Sequence, residues 1–277
     1  MSKGSFYGLP QGSLILFMGP PGTGKSYAAG SVCDVVDPER VALLCTKPKE
    51  VSSYQYVKHG LSERAEVFYD PEWDPEFGEL TAVGWKLLNK RLRELKKDDG
   101  VDAVILDPGT DAMVLLSHEI MSSMGIEALA DLRESGGKGR SYTYYGEFAE
   151  KVQRFVSRLA ELTLPPHPKF VLVPWHVQSA SEDEVSKGKG TMFEGAVLPM
   201  LPGQYRQKLA GDANEVVFSE ISRSFNTTSR KVEERFVLRV APTAEKHAKL
   251  SSVPRSEVAT IDNNFATLLE LLGGSSE

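Results

Sequence analysis

The sequence predicts an α/β fold with a mostly parallel sheet flanked by helices, on three observations. Residues Gly19 to Ser26 read Gly-Pro-Pro-Gly-Thr-Gly-Lys-Ser, a complete G-x-x-x-x-G-K-[ST] phosphate-binding loop between an apolar run and a helix-like segment. Strand-like runs alternate with helix-period segments along the chain, the pattern of βαβ units. One apolar run, Val101–Leu106, closes on the carboxylate of Asp107.

Each element has a local reason. Leu14-Ile15-Leu16-Phe17-Met18 predicts the first strand, and a helix from Lys25 to about Val35 follows the loop. Val41–Cys45 predicts a second strand and Ala65–Tyr69 a short third. Over Glu79–Lys97, Leu80, Val83, Leu87, Leu88, Leu92 and Leu95 recur at helical period, opposite a basic face of Lys86, Lys90, Arg93 and Lys97 that reads as solvated. After the Val101–Leu106 strand come an amphipathic helix, Tyr145–Leu162, and a strand, Lys169–Pro174, with His176 at its end. Glu215–Ser219 and Glu234–Val240 read as a C-terminal antiparallel hairpin around Ser222–Lys231, and Asn263–Leu272 as a last helix. Glu134–Tyr145 and Ser179–Gly190 are rich in Gly, Ser and charge and read as long functional loops. No internal repeat is present. One domain is expected over residues 1–277, with a core of about 12–250 and an extension of about 251–277.

The loop carries the chemistry. Its glycines let successive backbone N–H groups face one point, which suits a phosphate chain. Gly19, Pro20, Pro21, Gly22, Thr23, Gly24, Lys25, Ser26 and Tyr27 are the expected nucleotide-binding residues. Lys25 reaches the β/γ-phosphates and the Ser26 hydroxyl completes a Mg²⁺ shell. Asp107 matches a Walker B carboxylate, which orients the metal's water shell beside that serine. The expected cofactors are therefore ATP and Mg²⁺, with Ser26 and Asp107 on the metal side.

Composition narrows the class. With 41% hydrophobic and 25% charged residues the chain has an ordinary globular balance. Cys33 and Cys45 offer neither metal-ligand spacing nor a disulfide framework, which suits a reducing compartment. No apolar run approaches a membrane span, so no membrane partner and a cytoplasmic location (the host's, if the chain is viral) are expected. The net charge is −6, but Arg223–Arg255 holds eight Lys/Arg against three Glu. That stretch reads either as one face for a polyanion or as a solvated basic hairpin.

The residues around the loop choose among families. Proteins of the AAA+ class place a glutamate directly after the Walker B aspartate; this chain has Pro108, and no C-terminal helical lid with a sensor arginine follows. The strand Phe170-Val171-Leu172-Val173-Pro174-Trp175-His176 instead resembles the RecA-like ATPase core, in which a Gln or His at this strand end senses the γ-phosphate and leads into a DNA-binding loop. More narrowly, Tyr145-Gly146, His176, Pro202-Gly203 and Ala248-Lys249 resemble the phage RecA-like ATPases of the single-strand annealing group. The resemblance spans roughly Leu14 to Lys249 and implies a RecA-like P-loop core. It also implies DNA-stimulated ATP hydrolysis, action on single-stranded DNA in recombination, annealing or replication, and contacts with proteins of those processes. Self-association into a ring or filament, with a cation donated in trans, comes with it; Lys246 and Lys249, near the matching late-core strand, suit that role or read as surface lysines.

The chain departs from the family where a glutamate after the second strand activates water: it reads Leu44-Cys45-Thr46-Lys47. Glu50 is the first acid beyond, and Asp70 and Glu72 follow the third strand. Each of these acids is open as the substitute, and Glu50 joins Lys25, Asp107 and His176 in the expected catalytic set. Arg140, Lys187, Lys189, Arg223 and Arg230 are the DNA-contact residues expected on the loops and hairpin. Tyr142, Tyr144 and Tyr145 suit either base stacking or packing. The phage group often carries Arg shortly after Ala-Lys, whereas this chain has Leu250-Ser251-Ser252. Two other readings fit the same loop: a nucleotide-dependent assembly or motor ATPase with a protein partner, and a small-molecule kinase, which the lack of an Arg-rich lid disfavours.

Overall fold

A computed structural model describes residues 12–57, 60–70, 82–126, 132, 138–179, 197–201, 205–226, 230–243, 246, 248–251 and 258–273. Its first strand shows how the core is made. β1 (Ser13–Gly19) is buried along its whole length, because a central parallel strand is covered on both faces. Leu14, Leu16 and Met18 point into one apolar cluster, and Ile15 and Phe17 into the other. β2 (Val41–Cys45), β4 (Ala103–Asp107) and the first part of β5 (Phe170–Ser179) repeat this two-sided pattern.

The sheet order is β10-β8-β7-β1-β5-β4-β2-β3, with β3 at Glu66–Val67, β7 at Glu215–Asn226, β8 at Lys231–Arg239 and β10 at Thr260–Asp262. β1 pairs in parallel with both β5 and β7, and β4 in parallel with β5 and β2. The C-terminal strands are antiparallel: β7 with β8, and β8 with β10. β6 (Val197–Pro199) and β9 (Lys249–Leu250) add short antiparallel pairings to β5 and β7. This is the mostly parallel sheet with a C-terminal hairpin that the sequence predicts. On one face pack α2 (Gly84–Lys97), α3 (Gly109–Met124), α4 (Lys138–Glu161) and α5 (Tyr205–Asp212). The other face is covered by α1 (Lys25–Gly30), a 3₁₀ turn at Ser31–Asp34 and α6 (Phe265–Leu271).

Several elements differ from expectation. Residues 138–145 are the first turns of α4, not loop. Glu147–Lys151 and Glu150–Arg154 pairs support that helix, and Tyr144 is anchored on Ser117 at 2.6 Å between hydroxyls. Tyr144 is therefore a packing residue, while Tyr142 and Tyr145 are exposed. β5 continues past His176 to Ser179 because β6 takes up its backbone groups. α3 was not expected at all. The hairpin strands are longer than their apolar cores, and the rest of the Ser179–Gly190 segment lies outside the described residues. Among the described residues no helix is long and apolar enough to cross a membrane.

Candidate functional site

The C-terminal ends of β1, β2, β4 and β5 bring the predicted chemistry to one edge of the sheet. Gly19, the last residue of β1, is paired with His176, and Cys45 of β2 with Asp107 of β4. Beyond Gly19 the loop turns through Gly22 and Gly24, whose φ angles of 75° and 83° favour glycine. At Gly24 space also forbids a side chain. An added Cβ would lie 2.5 Å from Asn263 Nδ2 and 3.4 Å from Phe236 Cδ1. Asn263 donates from that nitrogen to the Gly24 carbonyl at 3.0 Å, so the C-terminal segment braces the loop.

Lys25 folds under this loop. It is 5% exposed, and its Nζ donates to the carbonyls of Gly19 at 2.9 Å and Pro20 at 2.6 Å. Burial pushes its ammonium down to about 8, while Asp107 and Glu50 pull the other way. Thr23 closes the turn by donating to the Pro20 carbonyl at 2.8 Å. Tyr27, beside Ser26, is exposed.

Asp107 is 2% exposed. Burial lifts its carboxyl to about 6, against the opposing effect of hydrogen bonds from Tyr54 and Ser26. The Tyr54 hydroxyl donates to Asp107 Oδ2 at 2.7 Å from a fully buried ring. Ser26 and Asp107, named separately from the sequence, thus lie near enough for the serine to favour the charged carboxylate. Tyr54 and Glu50 come from the same 3₁₀ turn, Pro48–Tyr54, which follows β2. Glu50 acts electrostatically on both Lys25 and Asp107, which places it at the site. Asp70 serves elsewhere: it accepts from the Gly84 N–H at 2.8 Å and bonds His118 at 2.8 Å. Glu72 lies outside the described residues.

Lys47, at the position where the resemblance expects an acid, pairs with Asp111 at 2.6 Å. The first turn of α3 also supplies Thr110, whose hydroxyl accepts from the His176 N–H at 2.9 Å. His176 Nδ1 is buried and has no hydrogen-bond partner among the described residues. Burial first, and then Lys25, hold the imidazole below its ordinary value, so the ring is neutral at pH 7. Lys25, Ser26, Asp107, Glu50 and His176 therefore share one edge, with Tyr54, Thr110, Asp111 and Asn263 as members that the sequence did not single out.

The residues named for other roles lie apart. Arg223 is exposed and pairs with Glu234 at 2.8 Å; Arg230 is exposed in the hairpin turn. Arg140 lies on α4 with its side chain outside the description, as are Lys187 and Lys189 entirely. Lys246 pairs with Glu220 at 2.5 Å and sits 5.2 Å over the Phe218 ring, while Lys249 donates to the Ala213 carbonyl at 2.9 Å. Both lysines are engaged within the chain.

The donor set fits a nucleotide with its metal: a loop turned by glycines, a buried lysine, and a serine near a buried carboxylate. No protein-family model matches the sequence, and no curated protein matches it. Among solved structures it is similar to the RadB recombinase at 14% identity, over 82% of this chain and 79% of that one, with a TM-score of 0.38. A type III secretion system ATPase of pathogenic bacteria shares 12% identity over 77% of this chain and 56% of that one, TM-score 0.41. The flagellar accessory protein FlaH of Methanocaldococcus jannaschii shares 10% over 87% and 91%, TM-score 0.34. Likeness at this distance carries no activity across to this chain.

Proposed function

We propose that this chain is a RecA-like ATPase that binds ATP with Mg²⁺ at the Gly19–Ser26 loop and couples its nucleotide state to single-stranded DNA. The burial of Lys25 beneath the loop, with the buried Asp107 beside it, carries the reading. Burying a lysine and a carboxylate together is unfavourable without a ligand to use them. The bound nucleotide supplies the phosphoanhydride to be cleaved. Lys25 and the loop amides bind its phosphates, and Ser26 and Asp107 hold the metal side. Glu50 takes the proton of the attacking water. Neutral His176, with Nδ1 unpaired among the described residues, is the group able to distinguish ATP from ADP.

From His176 the coupling path runs along β5 to β6, which pairs with it from Val177 to Ser179. A ligand shifts an equilibrium only by its differential affinity for two states, and a γ-phosphate at His176 supplies that difference. Self-association belongs to the same reading, with Lys246 or Lys249 released from its present partner to act in trans.

One observation favours a protein partner instead. Ile221, Phe225, Val232 and Phe236 of the hairpin are exposed, and Phe236 approaches Gly24 at the hairpin's root. A titration with single-stranded DNA, with and without a nonhydrolysable ATP analogue, separates the two. DNA affinity that depends on nucleotide supports the first reading; absence of DNA binding at low salt overturns it in favour of an assembly ATPase.

A further inference from the structure

On the face of the sheet opposite α1, helices α2, α3 and α4 enclose a cleft of about 310 Å³. Its floor is apolar: Trp85 of α2 and Phe155 of α4 meet with ring centroids 5.0 Å apart. Its rim is cationic, because α2 offers Lys86 and Arg93, seven residues apart, and α4 offers Lys151 and Arg158 at the same spacing. Two turns of helix thus place two pairs of cations along the cleft's two sides.

Most cations at this rim are neutralised within the chain. Lys86 pairs with Glu119 at 3.4 Å, Lys151 with Glu147 at 2.8 Å, and Arg154 with Glu150. Arg93 and Arg158 are the exceptions: neither forms an ion pair among the described residues. Burial, and then the repulsion of Arg93, lower the basicity of Arg158, and nearby Glu161 only partly offsets them. Arg158 is nevertheless held in place. Asn89 donates to the Trp85 carbonyl at 2.8 Å, which turns its side-chain oxygen to accept from Arg158 Nη1. Two guanidinium groups thus line one rim without an ion-pair partner among the described residues. Their planar forks suit the oxygens of a phosphate.

We propose that this cleft is a second anion site, separate from the phosphate loop, which takes the phosphate of one nucleotide unit above the floor that Trp85 and the buried Phe155 close. A volume of about 310 Å³ lies at the small end of ligand pockets and admits one such unit. The unit is either a free nucleotide or part of a single strand, and the phosphate chemistry is the same in both.

The test is equilibrium binding of thymidine monophosphate and of labelled oligo(dT), without Mg²⁺, to wild type, Arg93→Glu and Arg158→Met. Arg93 is exposed, so its substitution leaves the fold intact. Each variant is expected to weaken the probe about tenfold, the effect of one charged hydrogen-bond partner. For a strand, the salt dependence drops by about one phosphate contact. Binding of thymidine monophosphate by wild type, lost in the variants, identifies the free nucleotide as ligand, and binding of oligo(dT) alone, lost in the variants, identifies the strand. Lys25→Ala is the counterpart: it removes MgATP binding at the loop and leaves the cleft probes bound. The cleft assignment falls if wild type binds neither probe, or if both arginine variants bind as wild type does; MgATP binding by the same samples reports on the loop independently.

Discussion

The loop edge of the sheet and the outer β7–β8 hairpin both carry charge, under opposite conditions. At the loop edge Lys25 and Asp107 are buried, and burial shifts each toward its neutral form. From Ser219 outward β7 pairs only with β8 among the described strands, and beyond the half-buried Glu220 its charges, such as Arg223 with Glu234, lie in solvent. An exposed pair of that kind contributes at most about 1 kcal/mol. A buried charge kept against its desolvation is the more informative sign of function. Removing charge should therefore abolish function at the loop edge while stabilising the fold, and change neither stability nor the site at the hairpin.

The largest effect expected is on turnover. Glu50→Gln should lower kcat by about a hundredfold or more, the usual loss with a general base, with little change in KM. Unchanged turnover in a steady-state phosphate-release assay would move the base elsewhere.

Asp107→Asn sharpens the comparison, because two readouts should move in opposite directions. Mg²⁺-dependent nucleotide affinity should fall about tenfold or more, whereas unfolding free energy should rise by about 1–3 kcal/mol as a buried charge is removed. A denaturant titration alongside the binding assay checks both. A simultaneous loss of stability would mean that the Tyr54–Asp107 contact serves the fold.

The same carboxylate predicts a pH dependence. Its folded value of about 6 lies above the ordinary 3.8, so between them the folded chain holds a proton that the unfolded chain has released. Stability from this group is full below about pH 4 and declines as pH rises to about 6. Lys25 acts at the other end: its folded value of about 8 lies below 10.5, so stability rises with pH across that interval. Melting curves of wild type and Asp107→Asn should diverge across the acidic interval; parallel curves would place the carboxylate in water.

The smallest effect belongs to the hairpin. Arg223→Ala and Phe225→Ser should each change stability by no more than about 0.5 kcal/mol, since both side chains are exposed. A larger loss by either variant in thermal melts would show that the hairpin is packed, and the contrast would fail.

What could be read in advance follows the same division between local and distant contacts. The phosphate loop, β1, β2, β4 and Asp107 are written in consecutive residues, and the structure places them as their local pattern predicts. α3 was hidden because Gly109–Met113, Leu115 and Leu116 are buried almost all round, which leaves no amphipathic stripe to recognise. The start of α4 was masked by Gly, Ser and charge, although Tyr144 and Phe148 anchor it by packing. The continuation of β5 depends on β6, a partner some twenty residues downstream (Gln178 opposite Leu198). Tyr54 and Asn263 gave no signal, since an aromatic in a polar turn and an asparagine before a helix are ordinary. Their roles arise only when the chain brings them to Asp107 and Gly24.

The central claim is that the buried Lys25 is kept for a nucleotide. Isothermal titration of MgATP into wild type and Lys25→Ala tests it directly. The account predicts saturable binding by wild type, a loss of about a hundredfold or more in the variant, and a variant that melts no lower than wild type. Equal MgATP affinity in the two proteins would contradict it.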